Sequence, residues 1–401
     1  MLKKLRKITA GLLLAVFLLA EAVVIHAEND VESRERVQIS APAAILMEAT
    51  TGQIIYEKNA DERRSPASVT KVMTMLLAME ALAEGKVSLQ DDVVTSEHAA
   101  SMGGSQVYLE AGEVQTFDVL LKCIAVASGN DASVAVAEHI SGTEDAFVDL
   151  MNKRAKELGM ENTHFMDCCG LSDSDEHYTT AGDIAIMSRE LTVKHPEIYE
   201  YTKIWMEDIT HVTARGSSTF PLSSTNKLLK WYPYTTGLKT GSTSKAKYCI
   251  SATAQKDDMQ MIAVIMGAED PKMRFIDAQT LLSYGFSISN LYVDEHKEAL
   301  PPYPVDGGVQ DQVMLKYEEP FRYLDVSGRN AEKIEKNIEL PEMLQAPLEE
   351  GQIVGRAVYL LDGETLGSVN ILCGETIQEA KYPDYLVKVF EHFLLGESMI
   401  K

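Results

Sequence analysis

Between Val69 and Ala83 nearly every position is apolar or small. A helix of that composition has no face to give to water and must be buried on most sides, which a single layer of neighbours cannot achieve. Pro66 stands just upstream and Gly85 closes the segment, so the predicted helix runs from about Ser68 to Glu84. The flanking sequence supplies the covering layers. Ala43 to Met47 and Gln53 to Tyr56 are apolar runs around Thr50-Thr51-Gly52, a hairpin pattern. Helical spacing covers Thr116 to Ala127, Ala132 to Ile140, Thr143 to Leu158 and Thr180 to Val193. Tyr248 to Ala254 and Gln260 to Ala268 read as antiparallel strands, followed by a helix from Pro271 to Tyr284. Strands at both ends with helices between them predict an α+β domain over residues 38–286, an antiparallel sheet with a helical cluster.

Beyond Gly285 the texture changes. Residues 291–376 carry Pro301-Pro302, Pro304, Gly307-Gly308 and short apolar runs punctuated by Asp362-Gly363, which predicts a small all-β domain. In residues 380–398, Tyr385, Leu386, Val389, Phe390, Phe393 and Leu394 recur at one-turn spacing, the pattern of an amphipathic helix too short to span a bilayer but long enough to lie in its interface. Docking of that face against the β domain is the competing reading, since Lys381, Lys388 and Lys401 are offset by Asp384, Glu391 and Glu397.

At the other end, Lys3, Lys4, Arg6 and Lys7 precede the apolar run Ile8 to Ala20, and Ile25-His26-Ala27 offers a cleavage site, so residues 1–27 read as an export signal peptide. The 401 residues carry 37 Lys+Arg against 60 Asp+Glu, a formal charge of −23, which disfavours nucleic acid and anionic membrane as unspecific partners. Any anionic ligand must be held by local positive charge. Five cysteines, odd in number and with Cys168 and Cys169 adjacent, are not a disulfide framework, and read as small buried apolar residues. The nine histidines form no His-Glu-x-x-His segment and no Cys-x-x-Cys pair exists, so no metal site and no cofactor is expected.

Chemistry concentrates in three short motifs. Ser-x-x-Lys on a helix places a hydroxyl and an amine one turn apart on one face, the arrangement an activated serine needs. It occurs at Ser68-Lys71, Ser224-Lys227 and Ser242-Lys245, and only the first opens a long apolar helix, where burial depresses a lysine pKa. Ser-x-Asn occurs at Ser128-Asn130, Ser224-Asn226 and Ser368-Asn370, and Lys239-Thr240-Gly241 occurs once. Each also has a plain structural use: Ser128 and Asn130 as caps for the helix near Ala132, Lys239 to Gly241 as a turn entering a strand. The ordered set of Ser68-x-x-Lys71, Ser128-x-Asn130 and Lys239-Thr240-Gly241 is the trio found in penicillin-binding proteins and β-lactamases.

Pro66-Ala67-Ser68-Val69-Thr70-Lys71, Ala127-Ser128-Gly129-Asn130-Asp131 and Gly237-Leu238-Lys239-Thr240-Gly241-Ser242-Thr243 resemble the signatures of the exported serine D-alanyl-D-alanine carboxypeptidases, the low-molecular-mass penicillin-binding proteins. His177-Tyr178-Thr179-Thr180-Ala181 and Asn226-Lys227-Leu228-Leu229 fit its intervening segments; the chain departs at Asp167-Cys168-Cys169, where a polar run is usual, and at Ser242, where an aromatic or histidine is common. The resemblance implies a serine β-lactamase/transpeptidase-like fold and a hydrolase that trims peptidoglycan pentapeptide stems on the cell-wall side of the cytoplasmic membrane. It implies Ser68 as nucleophile, neutral Lys71 as base, Asn130 holding the Lys71 amine and Ser128 relaying a proton. Lys239, Thr240, Gly241, Ser242 and Thr243 then bind substrate, with the N–H groups of Ser68 and Ser242 forming an oxyanion hole. β-Lactams should acylate Ser68, and the terminal helix is implied as a membrane attachment. Two other functions compete: a β-lactamase, whose Glu-x-x-x-Asn loop Glu161-Asn162 matches only poorly, and a penicillin-binding module without turnover.

Overall fold

The computed structural model describes residues 37–395. The export signal expected over residues 1–27 and the last residues of the 380–398 helix lie outside the described residues. The chain divides into two compact units, one ending at Ser287 and the other beginning at Ile288.

The first unit is built on a five-stranded antiparallel sheet whose strands run, from one edge to the other, Ile54–Lys58, Ala43–Glu48, Met259–Ala268, Lys247–Lys256 and Thr235–Thr243. Its strands are β1 (Ala43–Glu48), β2 (Ile54–Lys58), β7 (Thr235–Thr243), β8 (Lys247–Lys256) and β9 (Met259–Ala268), with the short hairpins β3 (Asp92–Val94)/β4 (Val114–Thr116) and β5 (Met206–Thr213)/β6 (Gly216–Ser223) outside it. The period of two along a strand explains the layering. Ile262, Val264 and Met266 of β9 belong to one buried cluster, while Met261, Ala263 and Ile265 belong to another. β1 divides the same way, with Ala43, Ile45 and Met47 in the first cluster and Ala44 and Leu46 in the second. A sheet buried on both faces reads as continuous apolar runs, which is what these strands show.

One face is covered by α1 (Lys71–Ala83), α2 (Phe117–Lys122), α3 (Asn130–Ser141), α4 (Glu144–Glu157) and α5 (Ala181–Lys194); the other by α6 (Met273–Ile288). Helix α1 is buried at ten of its residues, from Lys71 through Ala81, as its composition requires. Two predicted helices are interrupted. Residues Ala67–Thr70 form a tighter 3₁₀ turn before α1 begins at Lys71. The helix expected over Thr116 to Ala127 becomes α2 followed by a wider π turn, Cys123–Ala127, which ends with Ser128 at φ 63°. Such turns are costly in a helix and recur at functional sites. All five cysteines are buried free thiols.

The second unit is β-rich: β12 (Ile353–Leu361) and β13 (Glu364–Cys373) form its central hairpin, flanked by β11 (Glu335–Glu339) and β10 (Leu315–Tyr317), with smaller sheets beside them. Its last helix, α7 (Tyr382–Leu395), is tied to the same unit by Lys388, whose Nζ donates to the Gly308 carbonyl at 2.7 Å and pairs with Asp311. Tyr382, Leu386, Val389 and Phe390 remain exposed. No helix of the described residues is long and apolar enough to cross a membrane.

Candidate active site

The 3₁₀ turn sets Ser68 one turn ahead of Lys71, half-exposed, while Lys71 is fully buried at the head of α1. Lys71 Nζ lies 3.2 Å from Ser68 Oγ, 2.6 Å from Asn130 Oδ1 and 2.7 Å from the Cys169 carbonyl. The last two atoms can only accept. The Asn130 amide orientation follows from its other side, where Nδ2 donates to the Gly103 carbonyl at 2.7 Å. A neutral amine has two N–H donors and one lone pair; with both donors committed to Asn130 and Cys169, the lone pair is left for the Ser68 hydroxyl. Burial pushes the Lys71 amine below its ordinary value, against the pull of the Asp167 and Asp131 carboxylates.

The second motif is fixed from below. The Asp131 carboxylate accepts the backbone N–H groups of Val107, Leu109 and Ala132 at 2.9–3.1 Å, and Asn130 N donates to the Ser105 carbonyl at 2.7 Å. These bonds tie the 103–109 loop to the head of α3. Ser128 Oγ meets the third motif directly, accepting from Lys239 Nζ at 2.8 Å, and the same amine donates to the Thr240 carbonyl at 3.0 Å. Lys239 is 1 % exposed. Burial pushes its amine well down, and the Arg274 guanidinium, or any charge on Lys71, pushes it further.

Lys239, Thr240 and Gly241 lie within β7, at the edge of the sheet, rather than in a turn leading to a strand. Gly241 is dictated by packing: a Cβ there would stand 2.8 Å from the Pro66 carbonyl oxygen and Val69 N and 2.9 Å from Ser68 N. Only a residue without a side chain lets the strand approach the Ser68 turn so closely. Gly170 is more tightly bound still, since at φ 77° its Cβ would overlap the Ala67 carbonyl. Thr240 Oγ1 is 2.6 Å from Thr225 Oγ1. Further along β7, the Ser242 side chain is exposed, and the Thr243 hydroxyl accepts from Ala246 N at 3.0 Å in the turn that follows.

The copies around Ser224 and Asn370 serve the fold. Ser224 Oγ accepts from Asn226 N, and Asn370 Nδ2 donates to Glu318 in the second unit. Asn162 accepts from Arg63 and makes no hydrogen bond to Ser68 or Lys71 among the described residues. His177 is a satisfied buried histidine: Nδ1 accepts from Met166 N at 3.0 Å, so Nε2 carries the proton and donates to Thr70 Oγ1 at 2.9 Å. Burial holds its ring below the usual histidine range.

Sequence reading missed two contributors. The Cys169 carbonyl is a backbone group and leaves no trace in side-chain motifs. Arg274 of α6 donates to the Gly241 carbonyl at 3.0 Å and keeps a buried Nε without a partner. Its trace was available, since Arg274 and Asp277 are the only charges between Met273 and Ile288. Among the described residues no group of three or more His, Cys, Asp or Glu is placed to hold a metal ion.

Comparison with known proteins agrees with this geometry. The D-alanyl-D-alanine carboxypeptidase family model matches residues 28–270, and that of the penicillin-binding protein 5 C-terminal domain matches residues 295–379. The chain is 41% identical over 382 residues to the D-alanyl-D-alanine carboxypeptidase DacF of Bacillus subtilis, covering 95% of this chain and 97% of that one. It is 31% identical over 370 residues to DacA of Escherichia coli, 89% of each chain being covered. Among solved structures, penicillin binding protein 5 of Haemophilus influenzae superposes with a TM-score of 0.73 at 32% identity, over 86% of this chain and 99% of that one. The three motifs, the cluster they form and these likenesses along nearly the whole chain place it in the family of serine D-alanyl-D-alanine carboxypeptidases, the low-molecular-mass penicillin-binding proteins.

Proposed function

We propose that this carboxypeptidase removes the terminal D-alanine of peptidoglycan pentapeptide stems through an acyl-enzyme on Ser68. The single observation that carries the assignment is the Lys71 amine, whose two donor directions are occupied by obligate acceptors while its third faces Ser68 Oγ. Ser68 Oγ attacks the carbonyl between the two D-alanines as its proton passes to Lys71 Nζ. The substrate's terminal carboxylate is received by Lys239 and Thr240. That carboxylate restores charge to Lys239, and the resulting cation then reinforces burial in keeping Lys71 neutral. The N–H groups of Ser68 and Ser242 hold the developing oxyanion, with Gly241 and Thr243 shaping the strand beside the substrate. Such donors contribute about 3 kcal/mol each at comparable acyl-transfer sites. Collapse expels D-alanine, whose nitrogen takes through Ser128 the proton that Lys71 had accepted; water, deprotonated by the neutral Lys71 so restored, then attacks the ester, and the proton returns to Ser68 Oγ as the shortened stem leaves.

β-Lactams imitate the D-alanyl-D-alanine end and acylate the same hydroxyl. Mass spectrometry of penicillin-treated protein should find one adduct on the peptide containing Ser68, and D-alanine should be released from a pentapeptide. An adduct on another serine refutes the assignment. A penicillin adduct that hydrolyses within seconds would favour the β-lactamase reading.

The protein acts outside the cytoplasmic membrane, exported by residues 1–27, and α7 attaches it to the membrane face. Support for attachment is the exposure of Tyr382, Leu386, Val389 and Phe390 while Lys388 is turned back to the β-rich unit. Full-length protein should sediment with lipid vesicles and a chain ending at Ala380 should not; equal sedimentation rejects the anchor.

A further inference from the structure

The third Ser-x-x-Lys copy ends on a lysine with an unexplained position. Lys245 sits in the turn between β7 and β8, three residues beyond Ser242, and lines a cavity of about 440 Å³ with Arg63, Arg64, Ser65, Asp175 and His177. Three of its lining residues are linked to the reaction centre, Lys245 along the chain from Ser242 and two others as follows. Ser65 is three residues from Ser68, and His177 is bonded to Thr70, the neighbour of Lys71.

Three cations converge here in a chain whose formal charge is −23. Arg63 is bonded to neutral groups: Nε and Nη2 donate to Asn162 Oδ1 at 3.1 and 3.0 Å, and its guanidinium lies 4.5 Å from the Tyr178 ring centre. Arg64 pairs with Glu62 at 2.8 Å, yet its Nε is buried without a partner. Lys245 donates to Asp175 Oδ1 at 2.7 Å and to the Asp173 carbonyl at 2.9 Å. The Asp175 side chain is 97 % exposed, and an ion pair so open to water is weak and screened by salt. A better-placed carboxylate can displace it. Glu176 also lines the cavity and sets the limit on how strongly an anion is drawn in.

The course of the substrate follows from the direction of β7. With the terminal carboxylate at Lys239 and Thr240 and the scissile carbonyl at Ser242 N, the acyl side of the stem continues past Thr243 toward Lys245. At about 3.3 Å per residue, the side chain opposite this turn belongs to the residue preceding the penultimate D-alanine. We propose that the Arg63-Arg64-Lys245 cavity is a subsite for a carboxylate carried by that residue, so that the enzyme prefers stems acidic at this position over their amidated forms. This rests on the carboxypeptidase assignment and on the substrate direction given above.

The test uses two synthetic acyl peptides ending in D-Ala-D-Ala, identical except that the preceding residue bears a side-chain carboxylate or the corresponding carboxamide. The readout is the ratio of their kcat/KM values for D-alanine release, which cancels any general change in activity. Charge-assisted contacts predict a ratio of about tenfold in favour of the carboxylate at low salt, shrinking as ionic strength rises. In Lys245→Ala and Arg63→Ala the ratio should fall toward one, with penicillin acylation reporting that each variant is folded. Equal rates for the two wild-type substrates, or a preference that persists in both variants, overturn the subsite while leaving the carboxypeptidase assignment standing. Release of D-alanine from neither peptide overturns both.

Discussion

Replacing Gly241 by alanine is the most direct way to question the geometry proposed for catalysis. The added methyl carbon would meet the Pro66 carbonyl oxygen and the Val69 and Ser68 nitrogens at 2.8–2.9 Å, where non-bonded heavy atoms prefer about 3.5 Å or more. All three are backbone atoms, so no flexible side chain can yield, and β7 must withdraw from the Ser68 turn by roughly 0.7 Å to reach ordinary contact. Overpacking of this kind costs about 1–3 kcal/mol, which for a unit of this size lowers Tm by roughly 2–10 °C. The catalytic effect should be larger. A displacement approaching 1 Å between reacting groups is worth about 100-fold in rate, because Ser68 N and Ser242 N no longer converge on one oxygen. Gly182→Ala is the control, since its Cβ would find nothing nearer than 3.5 Å and alanine favours a helix by about 1 kcal/mol over glycine. Stopped-flow acylation by a chromogenic penicillin, with a thermal melt of each protein, measures both quantities. Wild-type acylation and an unchanged melt for Gly241→Ala would show that the strand does not position the nucleophile.

Asn130→Asp should shift the acylation profile to higher pH, because a carboxylate 2.6 Å from Lys71 Nζ favours the charged amine and so raises its pKa; an unshifted profile argues against Lys71 as base. His177→Ala should destabilise the first unit by about 1–3 kcal/mol, leaving the Thr70 hydroxyl and Met166 N–H without their partner. The sign with pH follows from the lowered pKa of His177: the unfolded chain binds its proton first as acid is added, so wild-type stability drains away below about pH 6.5. His177→Gln should flatten that part of the curve in denaturant titrations at several pH values, and an identical slope counts against a buried neutral ring.

What the sequence disclosed and what it concealed divide on physical lines. The buried strands β1, β8 and β9 and the helices against them announce themselves through apolar runs. The β5/β6 hairpin does not, because of its strand residues only Ile209, His211 and Leu222 are buried, and apolar Met206 and Val212 stand among polar residues on the exposed positions. The π turn over Cys123–Ala127 is equally silent, since Cys-Ile-Ala-Val-Ala continues a helical pattern and the break is imposed by its surroundings. In the site, the side-chain motifs were legible and their partners were not. Nothing in Cys168-Cys169 announces two carbonyls that accept from Thr74 and Lys71.

β7 ends the sheet, and a free strand edge is normally an invitation to aggregate. Here the turn at Ala67–Thr70 covers part of that edge, with Gly241 against it, and the exposed remainder begins at Ser242 and turns away after Thr243. So short a rim holds one or two residues of an extended ligand but gives another protein's strand too little to grip. The same closeness that brings the serine to its strand therefore keeps neighbouring molecules from zipping onto it.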